Sequence, residues 1–112
     1  MKQLLYYTLL LVASFGFSQD LFFSEYAEGS SNNKYLEIYN PTSSHIDLSG
    51  YAYPFVGNAP DVAGQYDFWN EFDSGAVIPA GGVYVIAHTS ADASILAKAD
   101  ETHFYLSNGD DG

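Results

Sequence analysis

The sequence contains no cysteine, so no disulfide can hold this chain together. It also contains no arginine, and its three lysines stand against 14 aspartate and glutamate residues, for a formal net charge of −11. Affinity for nucleic acids and for anionic membrane surfaces comes largely from lysine and arginine. The composition therefore excludes direct nucleic-acid binding and attachment to an anionic membrane. A small disulfide-free domain must instead be held by its apolar core or by a metal.

The first 18 residues have the pattern of a secretory signal peptide. Lys2 is the only charge in this stretch, residues 4–12 are almost wholly apolar, and small residues follow. The apolar run is shorter than the roughly 20 residues that cross a bilayer, and cleavage after Ser18 or Gln19 fits the pattern. We therefore expect residues 1–18 to be removed. The rest of the chain is then expected to be secreted, extracellular or on the cell surface, with no membrane attachment.

The remaining residues, 20–112, have the pattern of one all-β domain. It opens with two apolar-alternating arms that flank a turn rich in glycine, serine and asparagine. Strand patterns occur at residues 21–26, 34–39, 45–53, 83–87 and 103–107. Gly50 lies within the third of these patterns and predicts a bulge or a close backbone approach. The fourth pattern is apolar on both faces, which predicts a central strand.

One helical pattern accompanies the strands. Residues 91–99 place Ile95, Leu96 and Ala99 on one face, and Ser90 precedes them as the expected N-cap. Many short strands, turn residues between them and a single short helix indicate an all-β sandwich.

An aromatic segment, residues 65–72, contains Tyr66, Phe68, Trp69 and Phe72, and Trp69 is the single tryptophan of the chain. Two interpretations are open: a core strand capped by an aromatic plug, or a platform on which carbohydrate stacks. Because no second tryptophan is present to complete a platform, we predict the core strand.

Four motifs occur in an order that resembles a known family. They are SEYAEGSSNNKYLEIYNPT from Ser24, DLSGY from Asp47, IPAGGVYVIA from Ile78 and NGDD from Asn108. Across residues 20–112 the chain is similar to the lamin tail domain, in the bacterial branch found in secreted proteins of Bacteroidetes-type organisms. The resemblance implies an immunoglobulin-like β-sandwich that is not itself catalytic. Because the chain ends in turn residues, we expect the last strand of the domain to follow Gly112.

The resemblance also implies a set of neighbours. Such domains occur beside secreted nucleases (endonuclease I-like and endonuclease/exonuclease/phosphatase-like), other hydrolases and secretion-sorting domains. We expect a non-catalytic binding or spacer module of a larger extracellular protein. Its partners would be downstream domains of the same polypeptide, or an extracellular protein or polymer. The alternative is the N-terminal part of a secreted nuclease whose catalytic domain lies downstream. The family supplies no catalytic residue to carry over.

Catalysis by these residues would need a base beside a nucleophile. The near-neutral bases are His45, His88 and His103, whose spacing does not resemble a zinc site, and we interpret them as scattered surface histidines. Glu25 and Glu37 are expected near the core. They could form a hydrolytic carboxylate pair or accept hydrogen bonds from tyrosine hydroxyls and backbone N–H groups, and we predict the second role.

Calcium is the candidate metal, since it prefers six to eight oxygen ligands and the chain is rich in carboxylates and amides. The alternative is that these oxygens belong to ordinary polar turns. The candidate ligands are Glu25, Glu28, Asn32, Asn33, Asp110 and Asp111.

Overall fold

A computed structural model describes residues 20–106 as two β-sheets with an apolar core between them. The elements are β1 (Phe22–Glu28), β2 (Lys34–Tyr39), β3 (Ile46–Asp47), β4 (Val77–Ile78), β5 (Val83–His88), the short helix α1 (Ala93–Leu96) and β6 (Glu101–His103). One sheet has the strand order β1-β2-β5-β6, and the other pairs β3 with β4. This confirms the predicted all-β sandwich with one short helix. No helix within this part of the chain is long and apolar enough to cross a membrane.

The larger sheet is built from an opening hairpin and a central strand. Strands β1 and β2 pair antiparallel, as the two arms predicted, and Ser31 in their connection adopts a positive φ of 61°. Strand β5 lies between β2 and β6, which confirms the predicted central strand. It pairs antiparallel with β2 and parallel with β6. A parallel neighbour requires a crossover connection, and residues 89–100, which contain α1, supply it.

The alternation of side chains along the strands decides what the core contains. On β2, Ile38 faces inward, and on β5 Tyr84 and Ile86 do so, while the residues between them face outward. The buried core cluster consists of Ile38, Leu48, Tyr53, Ile78, Tyr84, Ile86 and Leu106. Leu36 and several other half-buried apolar side chains pack against this cluster.

A β-bulge in β1 changes which of its side chains face the core. Phe23 pairs with Ile38 and Glu25 pairs with Glu37, so Ser24 is the extra residue. In a regular strand Glu25, two residues after Phe23, would share the inward face of Phe23. The bulge therefore places Glu25 outside, away from the core.

The buried side chain of Asn40 joins the end of β2 to the turn after β4. Its Nδ2 donates to the backbone oxygens of Ser44 (2.8 Å), Ile78 (3.1 Å) and Pro79 (3.1 Å). Its Oδ1 accepts from the backbone N–H and the hydroxyl of Thr42, at 3.0 and 2.7 Å. We call this arrangement the Asn40 clasp. It holds the two sheets together at one end of the sandwich.

Two predicted strands are shorter than expected. The strand expected at residues 45–53 ends at Asp47, because the N–H of Tyr51 donates to the carbonyl of Leu48 and closes a turn. Gly50 lies in this turn with open space around it, so neither a bulge nor a close approach is present there. The strand expected at 103–107 is instead Glu101–His103, and the backbone bends after it.

The predicted helix also begins later and ends earlier. Asp92, and not Ser90, is the residue before its first turn, and its side chain binds Asn33 instead of capping the helix. The N–H of Ser90 donates to the side chain of His88. Ile95 and Leu96 are only half-buried, because α1 lies against the outer face of the larger sheet and not in the core.

Candidate functional site

A buried carboxylate lies in the core, and it is Glu101. The side chain is 6% exposed, and it accepts hydrogen bonds from the hydroxyls of Tyr53 (2.8 Å) and Tyr84 (2.7 Å). The backbone N–H of Asp73 donates a third bond, at 3.0 Å. We call this group the Glu101 cluster. Nothing in the polar stretch around Glu101 marked it for burial, and only the parallel pairing of β6 with β5 turns it inward.

The Glu101 cluster is arranged as a structural network. Burial, and then the hydrogen bond to Glu101, raise the pKa of both Tyr53 and Tyr84 above that of an ordinary tyrosine. Both phenols therefore remain protonated donors, and the carboxylate is held by three partners. Such a group joins β5, β6 and two loops and is not poised for proton transfer.

Glu25 and Glu37 do not lie near the core, which corrects the prediction of their position. They are cross-strand partners on the outer face of the sheet, with Glu25 exposed. The hydroxyl of Tyr35 donates to Glu25, and the pKa of Tyr35 is raised mainly by this bond. The hydroxyl of Ser24 donates to Glu37 at 2.9 Å. Both carboxylates therefore accept hydrogen bonds from hydroxyl groups. For Glu25 the donor is a tyrosine, as the second interpretation predicted, and for Glu37 it is a serine.

The three histidines do not share one environment. His45 is exposed and His103 is half-buried, but His88 is buried, so the prediction of a surface histidine is wrong there. The Nδ1 of His88 accepts from the N–H of Ser90 at 3.0 Å. Burial, followed by the charge of Lys34, lowers the pKa of His88. His88 is thus a neutral ring that holds the start of the crossover.

The candidate calcium ligands within residues 20–106 are hydrogen-bonded or ion-paired in most cases. Glu28 lies 3.8 Å from the ammonium of Lys34. Asn33 exchanges two bonds of 2.8 Å with Asp92, which ties the opening loop to α1. No group of three or more histidine, aspartate or glutamate side chains in this range is arranged to hold a metal. Asp110 and Asp111 lie outside the described residues, and calcium binding stays a prediction.

The aromatic segment is not a core strand. It forms only isolated bridges, Phe68 with Phe55 and Glu71 with Ala52. Side chains nevertheless alternate along it: Phe68 is half-buried, Trp69 exposed, Asn70 buried and Glu71 exposed. Residue type does not alternate with exposure, since Phe68 and Trp69 are both aromatic and Asn70 and Glu71 are both polar, so residue type carried no signal for the two faces.

Two inward side chains fix the segment in place. The ring of Phe68 stacks between Phe55 and Tyr105, with ring centroids 4.6 and 4.7 Å away. The amide of Asn70 donates to the carbonyl of Tyr105 at 2.8 Å, and the Asn70 carbonyl accepts from the N–H of Tyr53. Trp69 lies between these two anchors, so its ring is directed outward by the backbone geometry.

The outward side chains line an exposed groove of about 410 Å³. Trp69 is 64% exposed and Tyr66 61%, with ring centroids 6.0 Å apart and planes inclined by 57°. We call this the aromatic groove, and its walls include Ser49, Tyr51, Pro54, Tyr66, Trp69 and Glu71. The prediction that Trp69 and Tyr66 belong to the core is therefore wrong. Large exposed aromatic surfaces of this kind mark binding sites more often than chance.

The two packed sheets and the short crossover helix define an immunoglobulin-like β-sandwich. The family model described as Lamin Tail Domain matches residues 17–112, and the chain belongs to this family. The match confirms the resemblance carried by the four motifs. No curated protein and no solved structure matches the chain significantly.

Proposed function

We propose that the chain is a secreted, non-catalytic binding module of a larger extracellular protein. It positions a neighbouring domain of the same polypeptide and contacts an extracellular protein or polymer. The proposal rests on the contrast between the buried polar residues of the chain, which make structural hydrogen bonds, and its exposed aromatic residues. The carboxylate of the Glu101 cluster accepts bonds from its buried tyrosines, while Trp69 and Tyr66 are exposed.

Catalysis in such a protein belongs to a domain beyond this module. A secreted nuclease is the neighbour that the family resemblance favours. The acidic surface supports this division of labour, because a chain with a formal charge of −11 repels the phosphate backbone instead of holding it. The module would then contribute attachment, and the neighbour would contribute the reaction.

The proposal is tested by following the chain during export. When the whole chain is produced in a diderm bacterium, it should be recovered outside the cytoplasm, beginning at Gln19 or Asp20 by mass spectrometry. The variant Leu10→Asp, which charges the apolar run, should remain uncleaved and inside. Gln3→Asn, outside that run, is the matched control and should be exported normally.

The same purified protein should not cut plasmid DNA with Mg²⁺ or Ca²⁺ present. DNA turnover above the buffer blank that co-elutes with the protein would contradict a non-catalytic module. An uncleaved wild-type chain confined to the cytoplasm would contradict secretion.

A further inference from the structure

We propose that the aromatic groove binds a neutral oligosaccharide, an inference that rests on the proposed role as a binding module and names its ligand. The proposal begins with the two most exposed rings of the groove, Trp69 and Tyr66. The face of an aromatic ring carries partial negative charge. The C–H bonds on the apolar face of a pyranose carry partial positive charge and fit against it. Two rings inclined by 57° offer two such faces to one bent chain of sugars.

The polar residues of the groove can hydrogen-bond to the hydroxyl groups at the edge of a sugar ring. Glu71 is exposed and lines the groove, and its backbone pairs with that of Ala52 in an isolated bridge. Ser49 also lines the groove. A carboxylate accepts strongly from hydroxyl donors. An apolar platform with a few hydrogen-bonding groups at its side is the general design of a small-ligand site. Sugars, which are apolar on their faces and hydroxylated at their edges, match both parts.

The charge of the groove restricts the sugar to a neutral one. Among the described residues that line it, Glu71 is charged and none is basic. The chain as a whole has a formal charge of −11. Sulfated glycans and uronic-acid polymers would meet repulsion from both. A proline-rich peptide could also use aromatic rings, but it has few hydroxyl donors for Glu71, and the inclined rings do not form one flat surface for it.

The backbone that carries Trp69 is anchored on both sides of this residue. Phe68 and Asn70, the chain neighbours of Trp69, are both anchored to Tyr105, and the hydroxyl of Tyr51 donates to Asp20 at 2.9 Å. These contacts limit the backbone freedom that is lost when a ligand binds, and preorganisation of this kind improves affinity.

Because Trp69 is the single tryptophan, its fluorescence reports on the groove alone. The experiment titrates the purified chain with soluble oligosaccharides of glucose (β-1,4 and β-1,3), xylose, mannose and N-acetylglucosamine. At least one neutral series should give a saturable blue shift and protect Trp69 from acrylamide quenching. Heparin and polygalacturonate should give neither change.

Matched variants assign the effect to the groove. Trp69→Ala should lower the affinity for the bound sugar by about tenfold or more, as for an anchoring aromatic, measured by calorimetry because the fluorophore is gone. Phe104→Ala removes a ring that is equally exposed, at 62%, but lies outside the groove, and it should leave the affinity unchanged. Glu71→Gln, read by fluorescence, should weaken binding less than Trp69→Ala. Circular dichroism melts should show all three variants folded.

Three results would overturn the inference: no response to any neutral series, equal affinity of Trp69→Ala and the wild type, or a response to the polyanions. A response to a proline-rich peptide with none to sugars would overturn it as well. If the chain is also exported, peptide binding would still support the proposed role as a secreted binding module. If the chain bound sugar but was not exported, the assignment of the aromatic groove would stand and the proposed secretion would be contradicted.

Discussion

Replacing Glu101 with alanine is expected to remove a large part of the domain's free energy of unfolding. The substitution leaves the hydroxyls of Tyr53 and Tyr84 and the N–H of Asp73 as donors without their acceptor in a water-poor core. At about 1–2 kcal/mol for each orphaned donor, the loss is roughly 3–6 kcal/mol. A small domain has about 5–15 kcal/mol of stability in total. Urea denaturation followed by circular dichroism measures the change.

Two variants separate this effect from the simple loss of a charge. Glu71→Ala removes an exposed carboxylate and should change the free energy of unfolding by less than about 0.5 kcal/mol. Glu101→Gln keeps one acceptor oxygen but turns an NH₂ donor toward other donors, so it should fall between the wild type and Glu101→Ala. If Glu101→Ala melted within a few degrees of the wild type, the Glu101 cluster would not contribute appreciably to the stability of the domain.

The same cluster should make the domain sensitive to alkali. The pKa values of Tyr53 and Tyr84 are raised in the folded state, whereas tyrosine in the unfolded chain loses its proton near pH 10. Above about pH 10 the native state therefore binds more protons than the unfolded state, and stability falls as the pH rises; below that pH this contribution is fully present. Denaturation midpoints between pH 7 and 11 should show the loss. The double variant Tyr53→Phe/Tyr84→Phe should show a shallower decline, and an identical decline would contradict the assignment.

Replacing Asn40 with aspartate is expected to be at least as damaging, although the two side chains have the same shape. In the Asn40 clasp an NH₂ group donates to the carbonyls of Ser44, Ile78 and Pro79. A carboxylate would set a buried negative charge against those three oxygens. Three lost hydrogen bonds and an uncompensated buried charge together cost about 4 kcal/mol or more. Thermal melting at pH 7 should therefore show a midpoint well below that of the wild type.

The control for this prediction is Asn58→Asp, which makes the same chemical change at an exposed loop residue with φ of 64°, a conformation that aspartate also tolerates. It should melt like the wild type. Asn40→Ala, which removes the donors without adding a charge, should be more stable than Asn40→Asp. An Asn40→Asp protein as stable as Asn40→Ala would show that the carbonyls do not surround the side chain as described.

The parts of the fold with a strong local period could be predicted from the sequence. The hairpin of β1 and β2 and the central β5 follow from alternation and from apolarity on both faces, which are properties of neighbouring residues. The strand expected at residues 45–53 shows the limit of that argument. Ile46 and Leu48 do alternate, but a turn after Leu48 and the Asn40 clasp, which draws together residues 38 positions apart, decide where the chain goes.

The functional surface could be predicted only in part. Trp69 was recognised as the residue on which two interpretations depended, but its direction is set by Phe68 and Asn70 through contacts with Tyr105, more than 30 residues along the chain. The position of Glu101 has the same kind of cause. Local pattern placed the core carboxylates at Glu25 and Glu37, and a bulge and a parallel strand pairing reversed that assignment.

The distance along the chain between Tyr53 and Glu101, 48 residues, also limits how early the Glu101 cluster can form during synthesis. A nascent chain emerges from its N-terminus, and among the elements of residues 20–106 β6 is the last to appear. Until Glu101 has emerged, the hydroxyls of Tyr53 and Tyr84 have no carboxylate to bind, and the larger sheet lacks one of its edge strands. Long-range pairings of this kind form slowly. The Glu101 cluster can therefore form only after most of residues 20–106 have been synthesised, so the packing of Tyr53 and Tyr84 around a carboxylate is a late event in folding.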